Sequence, residues 1–476
     1  MTLLGVLSEA EAEVRYHTVK PGQNLYRIAM TYGVTVKAIL DANSGITEDH
    51  VPSGYVLKIP DATKPPVPNA LNELPNDQQE TVKHETVSPG TVSSPDGHWS
   101  DGTLNLAVIL PFNLNAESTE DNKAQMRYTE FYEGVLMAVD EMQESGRHLK
   151  VQAYDTGTQS LYNILYAPEM QEADVVISTS QEDELRQVAV WSDMSGTPVV
   201  SPFEFRNSMV GVYQHLFQVN TPKSVLYPRL TEELLSRFAD YTFIFLTDSV
   251  GSQKADPYPL ELKQTLTRRR IPYRELSYLN PERLMACDSI LGLKDENILF
   301  VPVTPQTEAM RRMFSGLQHV KILRDARYAL AQAEGNAPEQ GQPKIAVLGY
   351  PEWVLTTQEF INYYYDLDVY MFTKFYANPF DPDLNRFYTT FKQWFGKEPM
   401  ALAPKYALLG YDVAKTFLQM LTHNGRHLEE RVADAKMDGL QTPFSFDDGG
   451  GRGFMNHGFY LVHFTPESTI DKIVVQ

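Results

Sequence analysis

The residues best placed to do chemistry are Gly349-Tyr350-Pro351-Glu352-Trp353, where a carboxylate stands at the point an apolar run stops. A carboxylate there either accepts a cation or sits in solvent as an ordinary loop residue. Tyr350 puts a ring and a hydroxyl beside it. Other reactive types are poorly assembled. Cys287, the single cysteine, sits in Met285-Ala286-Cys287-Asp288 with no His placed to activate it, so it reads as a small buried hydrophobe. The run Asp447-Asp448-Gly449-Gly450-Gly451-Arg452-Gly453 lacks the Lys-Ser/Thr ending of a phosphate loop. It precedes a strand-like segment, Phe459–Phe464, and so reads as a hairpin; no EF-hand spacing follows its aspartates. His457 and His463 have no Cys or Glu ligand set near them and read as structural. The expectation is a protein that is not an enzyme, with no catalytic residue, no metal and no cofactor.

The elements that must position Glu352 are three apolar runs, Phe243–Ser249, Ile298–Val303 and Lys344–Leu355, with room for a helix between them. Buried parallel strands have this form, and ligands collect at their carboxyl ends. The same alternation fills the chain from Leu104. Strands are expected at Leu104–Leu110, Leu149–Ala153, Val175–Ile177, Val199–Val200 and Val369–Tyr376. Helical spacing marks Phe131–Met142, Leu185–Ala189, Val225–Phe238, Pro382–Phe395 and Pro404–His423. The fold class is α/β, with doubly wound parallel sheets. Residues 104–476 are too many for one core and should divide into two lobes.

The first hundred residues differ. Thr2–Leu7 is apolar and Ala10-Glu11-Ala12 fits a small-x-small cleavage site, so residues 1–12 read as the remnant of a secretory signal. Residues 61–103 hold Pro65, Pro66, Pro68, Pro75, Pro89 and Pro95 among Ser, Thr, Asn and Asp, the composition of a linker. As a coil it would span roughly 40 Å. With 61 acidic against 41 basic side chains the net charge is −20, a field that repels nucleic acid. No run of 18 apolar residues is present to span a membrane.

Residues 16–60 read as β-α-α-β: an alternating start at Tyr16–Val19, a helix face of Leu25, Ile28, Ala29 and Tyr32, and a stop at Gly33. A second helix through Val36, Ile39 and Leu40 ends at Asn43-Ser44-Gly45, and Tyr55–Pro60 closes the unit. Tyr16, Val19, Gly22, Leu25, Ile28, Ala29, Tyr32, Gly33, Val36, Leu40, Asn43, Gly54, Leu57, Ile59 and Pro60 together resemble a LysM module. That resemblance implies binding of N-acetylglucosamine glycans such as peptidoglycan in a shallow groove. The groove would be formed by Gly22, Gln23, Asn24 and Leu25 with Asn43, Ser44, Gly45 and Ile46. Gln23 and Asn24 depart from the Asp/Glu-Thr/Ser pair usual there.

The larger part resembles type I periplasmic substrate-binding proteins of the branched-chain amino acid receptor branch. LNLAVILPFN, YEGVLMAVDEMQESGRHLKVQAYDTG, TPVVSPFEF, VLGYPEWV and FGKEPMALAPKYALLGYDVAKTFLQML carry the match, in the family's order. The resemblance implies two lobes closing on a ligand about a three-strand hinge. Lobe one would be about 104–219 with 369–440, and lobe two about 220–368 with 441–476. It implies that Glu352, with Tyr350, receives a ligand ammonium, and that Ser178, Ser180 and Ser201 hold a ligand carboxylate. For those serines ordinary turn and cap chemistry stays open. Phe203-Glu204-Phe205 stands where the family has small residues, and would fill or repel that site.

The resulting expectation is an exported protein of the periplasm or cell envelope. It would hold peptidoglycan through LysM and capture or sense a small ligand, amino acid-like or a muropeptide, between its lobes. The alternative is a degenerate clamp that regulates cell-wall synthesis by contacting a cell-envelope protein.

Overall fold

The computed structural model describes residues 15–19, 25, 28, 32, 34, 36–47, 54–60, 102–113, 123–178, 182–203, 209–250, 255–293, 295–424, 428, 432, 437–447 and 452–475. The expected signal remnant and most of the linker lie outside these residues.

The N-terminal unit pairs β1 (Arg15–Thr18) with β2 (Val56–Ile59) antiparallel, with the helix Val36–Ala42 between them in sequence. Val19, Leu25, Ile28, Ile39, Leu57 and Ile59 make its core. These are the apolar positions at helical and strand spacing, so the period of the sequence decides what is buried.

The rest forms two seven-stranded sheets. The chain first lays down β3 (Thr103–Leu110), β4 (His148–Asp155), β5 (Val175–Ile177), β6 (Val199–Ser201) and β7 (Leu216–Gln218), all parallel. It then crosses to the second sheet for β8 (Tyr241–Asp248), β9 (Tyr273–Tyr278), β10 (Asn297–Pro302), β11 (Ile345–Gly349) and β12 (Val369–Thr373), again parallel. After two helices come a short hairpin of β13 (Met437–Asp438) and β14 (Pro443–Phe444), then β15 (Phe446–Asp447) and β16 (Phe454–Asn456) on the first sheet. β17 (Phe459–Phe464) and β18 (Ile470–Val475) finish the second sheet antiparallel to β12 and to each other. The sheet orders are β15-β16-β7-β6-β5-β3-β4 and β18-β17-β12-β11-β10-β8-β9. This is the expected two-lobed architecture.

The lobe boundaries differ from those read in the sequence. β12 pairs with β11 and β17, so Val369–Thr373 belongs to lobe two and the return to lobe one begins at Lys374. β15 and β16 join β7, so lobe one holds the chain as far as Asn456, not 440. The strand expected to run to Tyr376 stops at Thr373. The three crossings are therefore Val219–Pro222, the segment after Thr373, and His457-Gly458.

Each lobe buries both faces of its sheet. In lobe two Phe243–Leu246, Ile298–Val301 and Ala346–Leu348 are at most 2% exposed. A fully buried side chain of this size contributes about 1.5–3 kcal/mol. In lobe one the helix Lys123–Glu144 packs against the helix Tyr406–Asn424 through reciprocal glycines. A Cβ on Gly134 would lie 1.8 Å from the Ala407 carbonyl oxygen, and one on Gly410 would lie 1.9 Å from that of Phe131. Only glycine permits so close a crossing. It fixes the frame from which the strand ends project.

Candidate functional site: the strand ends and the hinge

On lobe one the carboxyl end of β4 presents Asp155. Its Oδ1 accepts the backbone N–H groups of Asn113 and Gly157, each at 2.9 Å, so the exit loops of β3 and β4 are tied together. The ends of β5 and β6 place Ser178 and Ser201 side by side in the ladder, with Ser178 N–H donating to the Val200 carbonyl at 2.8 Å. Both serines are at most 1% exposed, and among the described residues neither hydroxyl has a hydrogen-bond partner. A buried hydroxyl without a partner is destabilising by about 1–3 kcal/mol, and such groups in native proteins call for an explanation. Ser180 lies outside the described residues.

The Phe203 ring packs within lobe one. Its ring neighbours are Tyr128 at 5.3 Å, Phe131 at 4.9 Å and Tyr406 at 6.0 Å, all in lobe one. The aromatic side chain packs on the two crossed helices, where it gains apolar contact. Glu204 and Phe205 lie outside the described residues.

On lobe two Glu352 is exposed, on the 3-10 turn Pro351–Thr356 that follows β11. Trp353 anchors the turn: it is 1% exposed and its indole N–H donates to the Pro305 carbonyl at 3.1 Å. Burial first, and the Asp256 carboxylate second, hold the Tyr227 and Tyr350 hydroxyls in the neutral form, with a smaller contribution from the Glu352 carboxylate in each. Tyr350 is not a wall residue. It is fully buried, donates its hydroxyl to the Pro302 carbonyl, and packs on Trp353 and Phe372. The ring closes the lobe-two core because the burial of β11, continuous along the strand, extends to Tyr350.

The hinge joins these two sets of strand ends. Asn456 Nδ2 donates to the carbonyls of Val219 at 3.0 Å and Pro443 at 2.8 Å, and Thr221 Oγ1 donates to that of Gly458 at 3.2 Å. Asn220 Nδ2 donates to the Phe203 carbonyl at 3.3 Å, and its Oδ1 accepts from Lys374 Nζ. Lys374 is half-buried; burial first, and the like charge of Lys223 second, lower its ammonium to about 8. Lys223 itself lies 3.7 Å from the Asp256 carboxylate, which also accepts the Tyr227 hydroxyl at 3.3 Å. The sequence offered one signal for Lys374: a lone cation inside the apolar run Tyr370–Tyr376.

The discounted groups behave as packing. Cys287 is fully buried and its thiol is pushed up to about 12, mainly by burial, which removes the nucleophilic thiolate. His463 stacks on Tyr370 at 3.9 Å and meets Asp368 at 2.6 Å. Among the described residues no group of three or more His, Cys, Asp or Glu side chains could hold a metal ion, and no helix is long and apolar enough to cross a membrane.

In the N-terminal unit two expected groove residues are structural. Leu25 is 2% exposed, in the core. Asn43 spends its amide on its own fold: Nδ2 donates to the Ile39 and Lys58 carbonyls and Oδ1 accepts from Lys58 N–H, each at 2.7 Å. This joins the end of the second helix to the closing strand. Ser44 and Gly45 are exposed and Ile46 is half-buried, leaving that turn open to a ligand. Gly22, Gln23 and Asn24 lie outside the described residues.

Residues 17–60 match the LysM domain. No curated protein sequence matches the chain. Among solved structures, a putative branched-chain amino acid ABC transporter from Rhodospirillum rubrum is 14% identical, with TM-score 0.47, covering 78% of this chain and all of that one. An ABC transporter substrate-binding protein from Desulfitobacterium hafniense, complexed with Leu, is 16% identical, with TM-score 0.39 and the same coverage. The branched-chain amino acid transporter substrate-binding protein LivJ from Streptococcus pneumoniae, complexed with isoleucine, is 13% identical, with TM-score 0.37, covering 78% of this chain and 99% of that one.

Proposed function

We propose that this chain, which carries a LysM domain ahead of a two-lobed α/β clamp, is a non-enzymatic binding protein of the cell envelope. LysM holds it to peptidoglycan, and the clamp captures or senses a small amino acid-like or muropeptide ligand between its lobes. The observation that carries the second part is the pair of buried, unpartnered hydroxyls of Ser178 and Ser201 at the lobe-one strand ends. A ligand carboxylate would satisfy both, and the exposed Glu352 carboxylate on lobe two is suited to a ligand ammonium. The fold supports this reading, since a crevice between the carboxyl ends of two doubly wound sheets is where such proteins bind.

Two assays on the full chain test it. Amino acids, dipeptides and soluble muropeptides are screened by thermal shift, where a ligand of the folded state raises the midpoint. At least one is expected to do so, with the gain reduced in Ser201→Ala and Glu352→Gln. A screen with no shift at millimolar ligand overturns the clamp reading. The full chain is also expected to sediment with peptidoglycan, while a chain lacking residues 1–60 stays in the supernatant. Equal sedimentation of both overturns the tether.

The alternative, a clamp that contacts a cell-envelope protein, has one observation on its side. Tyr162, Tyr166, Val190 and Met194 are exposed apolar side chains around one shallow depression on lobe one. As a degenerate clamp, it predicts no ligand shift in the native chain and binding to an envelope partner that Tyr166→Ser with Met194→Ser abolishes.

A further inference from the structure

Lys374 is out of place unless something anionic comes to it. It is the first residue after β12, on the second of the three crossings, and is half-buried. Its ammonium has three N–H donors, and the acceptor it reaches is a neutral amide oxygen, Asn220 Oδ1. The Phe375 ring lies 5.9 Å from Nζ. Among the described residues no carboxylate lies within ion-pair distance, and the charge that acts on it is the like charge of Lys223.

Four other cations that leave water wholly or in part are paired with carboxylates, whereas Lys405, lowered by burial like Lys374, lies over the Tyr388 ring. Arg324 meets Asp288 at 3.4 Å, Arg312 Nε donates to Asp248 at 3.1 Å, Lys397 meets Glu133 at 2.8 Å and Lys472 meets Asp438 at 3.1 Å. With 61 acidic residues in the sequence, a counter-ion for one lysine is easily supplied. Burying a charge without a partner is destabilising, so a site that keeps one unpaired is prepared for an incoming opposite charge.

The position fits a ligand site. The Asn220 amide that touches Lys374 also donates to the Phe203 carbonyl, so the ammonium sits beside the exit of β6. Two residues back along that exit is Ser201, buried, with its hydroxyl unpartnered. Lys374 is thus at the hinge wall, next to the lobe-one strand ends and on the segment that leads back from lobe two.

Building on the clamp reading above, we infer that Lys374 is an anion subsite on the hinge wall, and that the clamp takes an acidic amino acid or acidic dipeptide in preference to an aliphatic one. One carboxylate goes to the lobe-one serines and a second to Lys374, while Glu352 faces the ammonium. At neutral pH an ammonium lowered to about 8 is still protonated.

The test titrates the full chain by calorimetry with L-glutamate, L-leucine and inorganic phosphate, in the native sequence, Lys374→Met and Lys374→Arg. Glutamate is expected to bind at least tenfold more tightly than leucine. Lys374→Met should weaken glutamate roughly 30-fold or more and leave leucine unchanged, while Lys374→Arg retains most of the affinity. The melting midpoint of ligand-free Lys374→Met should stay level or rise, since an unpaired buried cation has been removed; a fall of several degrees would make Lys374 a structural strut and overturn the subsite. Leucine binding at least as tightly as glutamate, with Lys374→Met silent, overturns the inference and leaves the clamp reading standing. Phosphate binding that depends on Lys374, with glutamate inert, overturns the acidic amino acid as ligand class. If none of the three binds, the inference falls, and the wider ligand screen above decides the clamp reading.

Discussion

The Arg229 guanidinium lies 3.1 Å from the Asp447 carboxylate and thereby joins the first helix of lobe two to β15 of lobe one. It bridges the two bodies that must move if the clamp opens. The side chains are 36% and 41% exposed, so water and salt screen the pair. Arg229→Gln is expected to change stability by no more than about 1 kcal/mol. A loss above about 3 kcal/mol in urea denaturation would show that the pair is a rigid strut.

The reciprocal glycines of lobe one allow no such tolerance. Gly134→Ala or Gly410→Ala drives a methyl group into a backbone carbonyl less than 2 Å away. Each should destabilise by about 3 kcal/mol, the upper end for overpacking. Near-native denaturation midpoints would contradict the helix crossing described.

Asp412 holds the turn before β14. Its carboxylate accepts the N–H groups of Leu440 at 2.7 Å and of Gln441 and Thr442 at 2.9 Å each. Asp412→Ala strands three amides and should lower stability by roughly 3 kcal/mol or more, with Asp412→Asn recovering part of it. Equal losses in the two variants would argue against hydrogen bonding as the cause.

Lys374 sets a pH dependence whose sign is fixed. Its value in the fold, about 8, is below its ordinary 10.5, so the folded chain releases this proton before the unfolded chain does. Between those values the unfolded state binds more protons, and the contribution of Lys374 to stability rises with pH; below about 8 the burial penalty is present in full. Anion binding runs the other way, constant from pH 6 to about 7.5 and weakening through about 8 to 9 as the charge is lost. Calorimetric titrations across that range, with Lys374→Arg as the control that stays charged, measure it. A pH-independent affinity in the native chain would contradict the assignment.

How much of this could be read from the sequence depends on how local each signal is. β8, β10 and β11 announced themselves because strands buried on both faces are continuous apolar runs. The allegiance of β12 did not: Val369, Met371 and Phe372 would be buried in whichever sheet took them, and pairing with β11 and β17 is non-local. Tyr350 was misplaced for a similar reason. Its acceptor, the Pro302 carbonyl, comes from the neighbouring strand. Asn43 drew attention as an exposed turn residue, yet its amide is consumed by Ile39 and by Lys58 of the closing strand. Glu352 was legible in type and place, because a polar residue after a buried strand has only the strand end to occupy. Lys374 went unread because a single lysine between apolar residues has no period. Its meaning appears only when Asn220, from another crossing, is found against it.

Capture of a small ligand requires the two lobes to close on it. Small-angle X-ray scattering of the full chain, alone and with the tightest ligand from the screen at saturation, tests it most directly. The radius of gyration is expected to fall on ligand addition, and Glu352→Gln with Ser201→Ala should abolish the fall. A radius of gyration unchanged by a ligand that demonstrably binds would contradict it.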